Sequence, residues 1–149
     1  MMDAEALERY LHVHIPLSKA MGVAVRTASV DGVVLAAPLA PNINHRDTLF
    51  GGSACAVATL AAWTMIYARL QAAGIAGRVV IRANTMHYEQ PVDGDFSARA
   101  DPPADAAWRK VLAALRRRRM ARLVMHAQID YDGTRACEFG GEFVILPGG

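Results

Sequence analysis

One stretch of this sequence constrains the fold more than any other: residues 53 to 68 contain no charged side chain, and the first charge after them is Arg69. The stretch from Ser53 to Ala73 consists of residues that favour a helix, and it is apolar on nearly every side. A helix without a polar face must be buried on several sides. A membrane span is the competing interpretation, but the uncharged part is close to the minimum length for crossing a bilayer and is rich in Ala and Thr. We therefore expect the core helix of a soluble protein and no membrane partner.

The rest of the chain divides into short strand-like runs separated by turn residues. Apolar and polar residues alternate most clearly around Leu123, Met125 and Ala127. Six runs are predicted, at residues 22–30, 33–39, 79–91, 95–101, 122–131 and 134–146, with further helices near residues 6–14 and 105–117. Tight turns at Asp31-Gly32 and Asp132-Gly133 make neighbouring strands antiparallel, and the first of these dipeptides tolerates positive φ angles. A sheet covers an all-apolar helix only by curling around it, so we predict one α+β domain over residues 1–149.

The bulk composition excludes several classes of function. A net charge of +2 is too small to indicate nucleic-acid binding, which requires a concentrated basic surface. The two cysteines, Cys55 and Cys137, lie in apolar surroundings without the spacing of a metal site, and the histidines show no helical zinc spacing. The first residues of the chain lack the basic and apolar regions of a secretory signal. These features predict a cytoplasmic protein that binds no metal.

A polar loop, residues 42–53, leads directly into the start of the apolar helix. The first amide groups of a helix have no partners inside the helix, and the helix dipole places partial positive charge there. Gly51 and Gly52 stand at this point, and without Cβ atoms they allow a ligand to approach the backbone closely. Such amides can hold the oxyanion that forms when a carbonyl carbon becomes tetrahedral. This loop is therefore the candidate catalytic segment.

The order of residues in this loop resembles that of a known family. Asn44, three further residues, Thr48-Leu49-Phe50-Gly51-Gly52 and then a long Ala-rich helix are similar to the N-x-x-G-x-x-H-G-G motif that opens the central helix of phenylacetate-type hot-dog thioesterases. The chain resembles still more closely a thioesterase family found alone or fused behind bacterial acetyltransferase domains, over residues 10–145 and including the segment 88–92. The resemblance implies the hot-dog fold, in which an antiparallel sheet of about six strands wraps around a long central helix.

The resemblance also implies roles for individual residues. Asn44 matches the residue that holds the substrate carbonyl or the attacking water, and Gly51 and Gly52 match the backbone donors. Phe50 and Ser53 flank these glycines and belong to the expected substrate-binding set. Asn84 falls near a position from which a polar residue faces the site of the neighbouring subunit.

Two departures from the family pattern affect the expected chemistry. Phe50 stands where the broader pattern has His, and Thr59 stands where it has an acidic residue seven positions after the second glycine. Threonine cannot act as a carboxylate base, although it can orient a water molecule. General-base assistance, worth about 10²–10⁴ in rate, would then come from elsewhere, and Asp47 and His45 in the loop are the nearest candidates.

Each of these residues also has a purely structural interpretation. Asn44 is equally typical of a turn, Thr59 of a hydroxyl bonded to a carbonyl one helical turn back, and Ser53 of a helix N-cap. His45 is either a site residue or a surface residue. Arg117 and Arg118 belong to a basic cluster at residues 116–119, which is either a solvated helix end or a site for the phosphates of the acyl carrier.

Three functions remain open from the sequence. The first is hydrolysis of an acyl thioester, carried on coenzyme A or on an acyl-carrier protein, by water attack without a metal and with no cofactor besides the coenzyme A of the substrate. The second is a non-catalytic acyl-thioester sensor that keeps the pocket and lacks the base. The third, a hot-dog dehydratase, needs a catalytic His that only His45 offers. By analogy with other hot-dog proteins, we expect a homodimer or a dimer of dimers with the site at the subunit interface.

Overall fold

The computed structural model describes residues 2–148, and these residues build a single antiparallel sheet with helices on its inner side. The helices are α1 (Ala4–His14), α2 (Pro16–Ala20), α3 (Gly51–Ala73) and α4 (Asp105–Arg116), with a 3-10 turn at Ala40–Asn42. The strands are β1 (Ala24–Ser29), β2 (Gly32–Ala37), β3 (Gly77–Tyr88), β4 (Phe96–Ala100), β5 (Ala121–Tyr131) and β6 (Thr134–Pro147). All six predicted strands are present, and their bounds differ from the predicted ones by at most three residues.

The six strands lie in the order β1-β2-β4-β5-β6-β3, and every neighbouring pair is antiparallel. Helix α3 packs against all six strands, so the sheet curls around it on several sides. This arrangement is the hot-dog fold, and the predicted α+β architecture is confirmed. Strands β1 and β3 form the two edges of the sheet.

Helix α3 is the centre of the hydrophobic core. Its small residues, such as Ala58 and Ala61, are fully buried and allow strands to approach the helix closely, while Met65 and Ile66 fill the space between helix and sheet. The helix is long and apolar enough to cross a membrane, but 61% of its apolar stretch is buried inside the protein. The sheet therefore provides the apolar surroundings that this segment requires.

The strands supply the other half of the core by alternation. In β5, and in β6 from Cys137 onward, the odd-numbered residues face α3 and the even-numbered ones face outward. At the start of β6 this parity is reversed, because Arg135 is exposed and Ala136 is buried. The fully buried rings of Phe139 and Phe143 lie on either side of Gly141, and a Cβ at that glycine would stand 2.7 Å from the Phe139 ring. Gly141 is thus required by packing, because the two rings occupy the space that a side chain would need.

The two predicted Asp-Gly turns differ in backbone conformation. Asp132 and Gly133 adopt φ angles of 50° and 78°, as a tight right-twisted hairpin requires. The first hairpin instead turns at Val30 and Asp31, and Ser29 pairs with Gly32, so Gly32 is already the first residue of β2. Neither Asp31 nor Gly32 has a positive φ angle. The expectation of such a turn at Asp31-Gly32 is therefore wrong.

Replacement of Phe139 by alanine tests the contribution of the core. Phe139 is 0% exposed, so Phe139→Ala leaves a cavity beneath α3 and should lower the free energy of unfolding by about 3–5 kcal/mol. The measurement is urea denaturation followed by circular dichroism. Phe50→Ala is the matched control, because Phe50 is 55% exposed and its loss should cost about 0.5 kcal/mol or less. Equal losses for the two variants would contradict this description of the core.

Candidate functional site

The loop before α3 is fixed by a buried asparagine, Asn42. Its side chain is 1% exposed, and its amide nitrogen donates to the carbonyl oxygens of Met21 and Pro38 at 2.9 and 2.8 Å. The backbone carbonyl of Asn42 accepts a hydrogen bond from the backbone amide of Phe50 at 2.8 Å. The backbone amide of Leu49 donates to the backbone carbonyl of Val92 at 2.8 Å. These bonds hold the residues immediately before the helix in one place.

Helix α3 begins at Gly51, two residues earlier than the sequence predicts. The N-cap residue is Phe50, whose side chain makes no capping hydrogen bond, and Ser53 lies inside the first turn. The interpretation of Ser53 as the N-cap is therefore wrong. Within residues 2–148, no acceptor receives a hydrogen bond from the amides of Gly51, Gly52 or Ser53. The helix start thus keeps the free donors that an oxyanion needs.

A cavity of about 360 Å³ borders this helix start. Gly51 and Ala54 line it from α3, and Cys137 lines it from β6. The remaining wall consists of Leu49 and the segment that follows β3, namely Tyr88, Glu89, Gln90, Pro91 and Val92. The start of helix α3 therefore borders a cavity. An oxyanion site at these amides requires this arrangement.

A bulge in β3 decides which side chains of this strand face the helix start. Ile81 pairs with Phe143 and Ala83 pairs with Glu142, so Arg82 is the extra residue. Before the bulge the odd-numbered residues of β3 pair with the buried face of β6, and after it the even-numbered ones do. The bulge thereby brings three even-numbered residues of β3, Asn84, Met86 and Tyr88, onto the side of the sheet that faces α3.

Tyr88 forms the part of the cavity wall that lies against Gly51. Its hydroxyl donates a hydrogen bond of 3.2 Å to the Gly51 carbonyl, and a Cβ at Gly51 would stand 3.4 Å from its ring. Desolvation raises the pKa of the Tyr88 phenol, and the nearby thiols of Cys55 and Cys137 raise it further. Tyr88 therefore remains a protonated donor at neutral pH.

The side chain of Asn44 is engaged within its own loop. Its amide nitrogen donates to the Thr48 hydroxyl at 2.8 Å and to the Leu49 carbonyl at 3.3 Å. Its oxygen accepts from the backbone amides of Arg46 and Thr48 at 2.8 and 3.1 Å. This geometry is the turn chemistry that the sequence left open for Asn44, and a substrate carbonyl would have to compete with these bonds.

The two other loop candidates lie outside the cavity lining. His45 and Asp47 are both exposed, and neither lines the cavity at the start of α3. Asp47 adopts a φ angle of 62°, so it serves as a turn residue in the loop. The structure does not bring either side chain to Gly51 within one chain.

Thr59 lies on a different face of α3. It lines a separate apolar groove of about 250 Å³ between α2 and α3, together with Ile15, Leu17, Met21, Ala56, Leu60 and Trp63. Within residues 2–148 its hydroxyl takes part in no hydrogen bond, so the expected bond to a carbonyl one turn back is absent. Gly52 is exposed, and a Cβ there would overlap the Phe50 ring. Of the two glycines, Gly51 lines the cavity and Gly52 does not.

The remaining predicted residues fall at different distances from the site. Asn84 accepts a hydrogen bond from the Cys55 thiol at 3.5 Å, close to the helix start. Arg117 and Arg118 are exposed at the end of α4, just before β5. The first residues of β5 and of β3 flank the end of β6, so they lie at the same end of the sheet. The cavity lies at the other end of β3, about 30 Å away at about 3.3 Å per residue. The structure does not bring these arginines to the cavity of their own chain.

Comparison with known proteins identifies the family. The sequence profile of the family described as "Putative thioesterase (yiiD_Cterm)" matches residues 4–147. The chain belongs to this family. A protein of unknown function from Chlorobaculum tepidum has a TM-score of 0.91 at 30% identity, covering 97% of this chain and 94% of that one. A "putative thioesterase" from Shewanella oneidensis has a TM-score of 0.87 at 29% identity, covering 97% of each chain.

More distant structures share the fold. A thioesterase from Haemophilus influenzae has a TM-score of 0.78 at 16% identity, covering 99% of this chain and 92% of that one. Together with the family match, this confirms the resemblance and the hot-dog fold that the loop motif predicts. Membership of the yiiD_Cterm family supports a thioesterase-type protein.

Sequence reasoning missed part of this family member's site. Tyr88 and Glu89 were noted only as part of the family resemblance, and Cys137 only as a core residue, yet all three line the cavity. The signal that could have found them is the run Tyr88 to Val92, which ends a strand and begins a turn beside the loop. Among the described residues, no group of three or more His, Cys, Asp or Glu side chains is placed to hold a metal ion.

The thiol of Cys137 offers a test of the cavity's electrostatics. Cys137 is 3% exposed, and desolvation, followed by the negative charge of Glu89, raises its pKa to about 11. In a Cys55→Ser variant, modification of Cys137 by an aromatic disulfide reagent should be slow at neutral pH and accelerate about tenfold per pH unit up to about pH 11. The converse variant, Cys137→Ser, reports the partly exposed Cys55 under the same conditions. A rate for Cys137 that levels off below pH 9 would contradict the assignment.

Proposed function

We propose that this chain is a cytoplasmic enzyme that hydrolyses an acyl thioester carried on coenzyme A or an acyl-carrier protein, by metal-free attack of water. The observation that carries the proposal is the set of unpaired amides at Gly51 and its neighbours beside a cavity of about 360 Å³. These amides would hold the oxyanion, where one donor is worth about 10²–10³ in rate. Membership of a family described as putative thioesterases supports the same reaction class.

The second candidate function is an acyl-thioester sensor without catalytic activity. The observation that favours it is Thr59, which replaces the acidic residue of the broader pattern and lies in a groove apart from the cavity. A sensor would keep the free amides and bind the thioester without activating water.

Release of free thiol from a panel of acyl-CoA substrates separates the two functions. The expected result is enzyme-dependent release that saturates with substrate and is unchanged by a chelator such as EDTA. Binding of a non-hydrolysable thioether analogue without any release above background would leave only the sensor. Loss of turnover in EDTA would overturn the metal-free mechanism.

Gly51→Val tests the position of the oxyanion. A Cβ at Gly51 would stand 3.4 Å from the Tyr88 ring, so the two methyl groups of valine would occupy the space beside the free amides. We expect kcat/KM to fall by at least about 10²-fold, measured by thiol release. Ala72→Val, at the exposed end of the same helix, is the control and should keep full activity. An active Gly51→Val enzyme would place the oxyanion elsewhere.

The site suggests a homodimer formed through β3, either alone or as part of a dimer of dimers. Strand β3 is a long edge of the sheet, and its backbone groups have no strand on one side. Apolar side chains are exposed along this edge and at the helix start, where Val80 is 49% and Tyr88 56% exposed. Two copies that pair antiparallel would cover these side chains and join their sheets.

Such a dimer would also change the role of the arginine cluster. In an antiparallel pair, the first residues of one β3 lie beside the last residues of the other. The partner's Arg117 and the partner's Arg118 would then approach the cavity of the first chain. Within a single chain, these arginines lie about 30 Å from the cavity. The phosphates of coenzyme A are suitable ligands for these side chains, and Asn84 would face the same interface.

The double variant Val80→Asp/Thr85→Asp tests this dimer. Antiparallel pairing about a two-fold axis in the middle of β3 places residue 80 of one copy opposite residue 85 of the other, and like charges in that position repel. We expect a dimer for the unmodified protein and a folded monomer for the variant, by light scattering coupled to size-exclusion chromatography. Val124→Asp, exposed on β5 away from the edge, should preserve the β3 dimer. Unchanged association of the double variant would contradict β3 pairing.

A further inference from the structure

The lining of the cavity at the start of α3 includes one acidic residue. Of the described residues that line it, Glu89 alone carries an acidic side chain. Glu89 follows Tyr88 directly, and its backbone amide donates to the Ala136 carbonyl at 2.8 Å, which holds this segment beside β6. The wall that faces Gly51 therefore supplies the acidic group that α3 lacks at Thr59.

The other protic groups of the cavity are unsuited to act as a base or nucleophile. Cys137 has its pKa raised to about 11 by desolvation and by the charge of Glu89, so only about one molecule in 10⁴ carries the thiolate at pH 7. Tyr88 also has its pKa raised by desolvation, and its hydroxyl already donates to the Gly51 carbonyl. Gln90, the remaining polar side chain of the wall, has no proton-accepting group of comparable basicity.

An arginine fixes the orientation of the Glu89 carboxylate. Arg135 Nε lies 2.9 Å from Oε1, and the Nη2 atom lies 3.0 Å from Oε2, so the two planar groups form a double contact. A carboxylate has about four acceptor positions, and this contact leaves two of them free. The arrangement resembles that of a base held in place by a third group, which is typical of activated water and nucleophiles.

We propose that Glu89 is the general base for hydrolysis at this site and that Arg135 is its positioning residue. The Glu89 carboxylate accepts a proton from water while the water oxygen bonds to the thioester carbon, and the carbonyl electron pair becomes an oxyanion at the Gly51 amide. Collapse of this intermediate breaks the carbon–sulfur bond. The departing thiolate takes the proton from Glu89, which yields a carboxylic acid, a free thiol and the original carboxylate. This inference rests on the proposed thioester hydrolysis and names the base that it requires.

The charged groups around Glu89 define what a pH profile reports. Arg135 and Glu138 lie on β6 beside it, with 3.8 Å between Arg135 Nη2 and Glu138 Oε2. Cys137 on the same strand and Tyr88 on β3 are the other titratable neighbours in the cavity, and Asp130 on β5 acts on Arg135. Since Cys137 and Tyr88 have raised pKa values, an acidic limb of the kcat profile belongs to a carboxylate.

The test compares Glu89→Gln with Glu138→Gln. Both variants remove one carboxylate from the surroundings of Arg135, but only Glu89 lines the cavity. We expect Glu89→Gln to lose about 10²–10⁴ in kcat, with KM and the binding of a thioether analogue within about threefold of the unmodified protein, and to lose the acidic limb of the pH profile. Glu138→Gln should keep activity within about threefold. Glu89→Asp should recover part of kcat together with the acidic limb, because it restores a carboxylate.

The outcomes separate this inference from the function on which it rests. An unmodified protein that turns over thioesters while Glu89→Gln stays within tenfold of its kcat overturns the role of Glu89 alone. An equal loss of kcat in Glu138→Gln also overturns it, because the effect then comes from Arg135 or the local fold. An unmodified protein that binds the thioether analogue but releases no thiol from any substrate overturns thioester hydrolysis, and the role of Glu89 with it.

Discussion

The burial of one helix without a polar face determines most of this structure. Helix α3 cannot lie on a surface, so the sheet has to curl around it, and the helix start opens toward the loop that precedes it. Its first amides cannot be satisfied within the helix, and no capping side chain satisfies them from outside. The segment that must be buried on several sides therefore also provides unpaired backbone amides at its first residues. Fold and candidate chemistry have a common origin in the sequence from Gly51 to Ala73.

The cavity combines donors and acceptors in a way that suits a carbonyl group and a water molecule. Its lining includes Gly51, whose amide is free, and Glu89, whose carboxylate is held by Arg135. Tyr88 and Cys137 in the same lining remain protonated because desolvation raises the pKa of each. In the proposed reaction, Glu89 gains the proton of the water molecule as the oxyanion develops near Gly51, so these two groups together carry one negative charge at each stage. The repulsion between two nearby anions is thereby avoided.

Local patterns in the sequence were sufficient for the architecture and insufficient for the site. Alternation around Met125 and the apolar stretch after Ser53 predict strands and core helix, because each depends on neighbours along the chain. The loop glycines were also found, since a helix start is a local feature. Glu89 was not found, because an acidic residue after a strand is typical of any exposed turn. Its position in the cavity depends on the Arg82 bulge and on the pairing with β6, which involve residues distant in sequence.

The same bulge affects how the edge of the sheet can be used. Strand β3 has 12 residues and lies at the edge of the sheet. A flat edge strand of this length would be a template on which further chains can add without limit, as in amyloid. The bulge at Arg82 interrupts the regular backbone of β3 near the centre of the strand. The Arg82 guanidinium forms a salt bridge of 3.0 Å with Glu142, so charged side chains lie at this interruption. Only two short runs, residues 77–81 and 83–88, remain for regular pairing. The interrupted edge is accordingly a poor template for open-ended fibre growth.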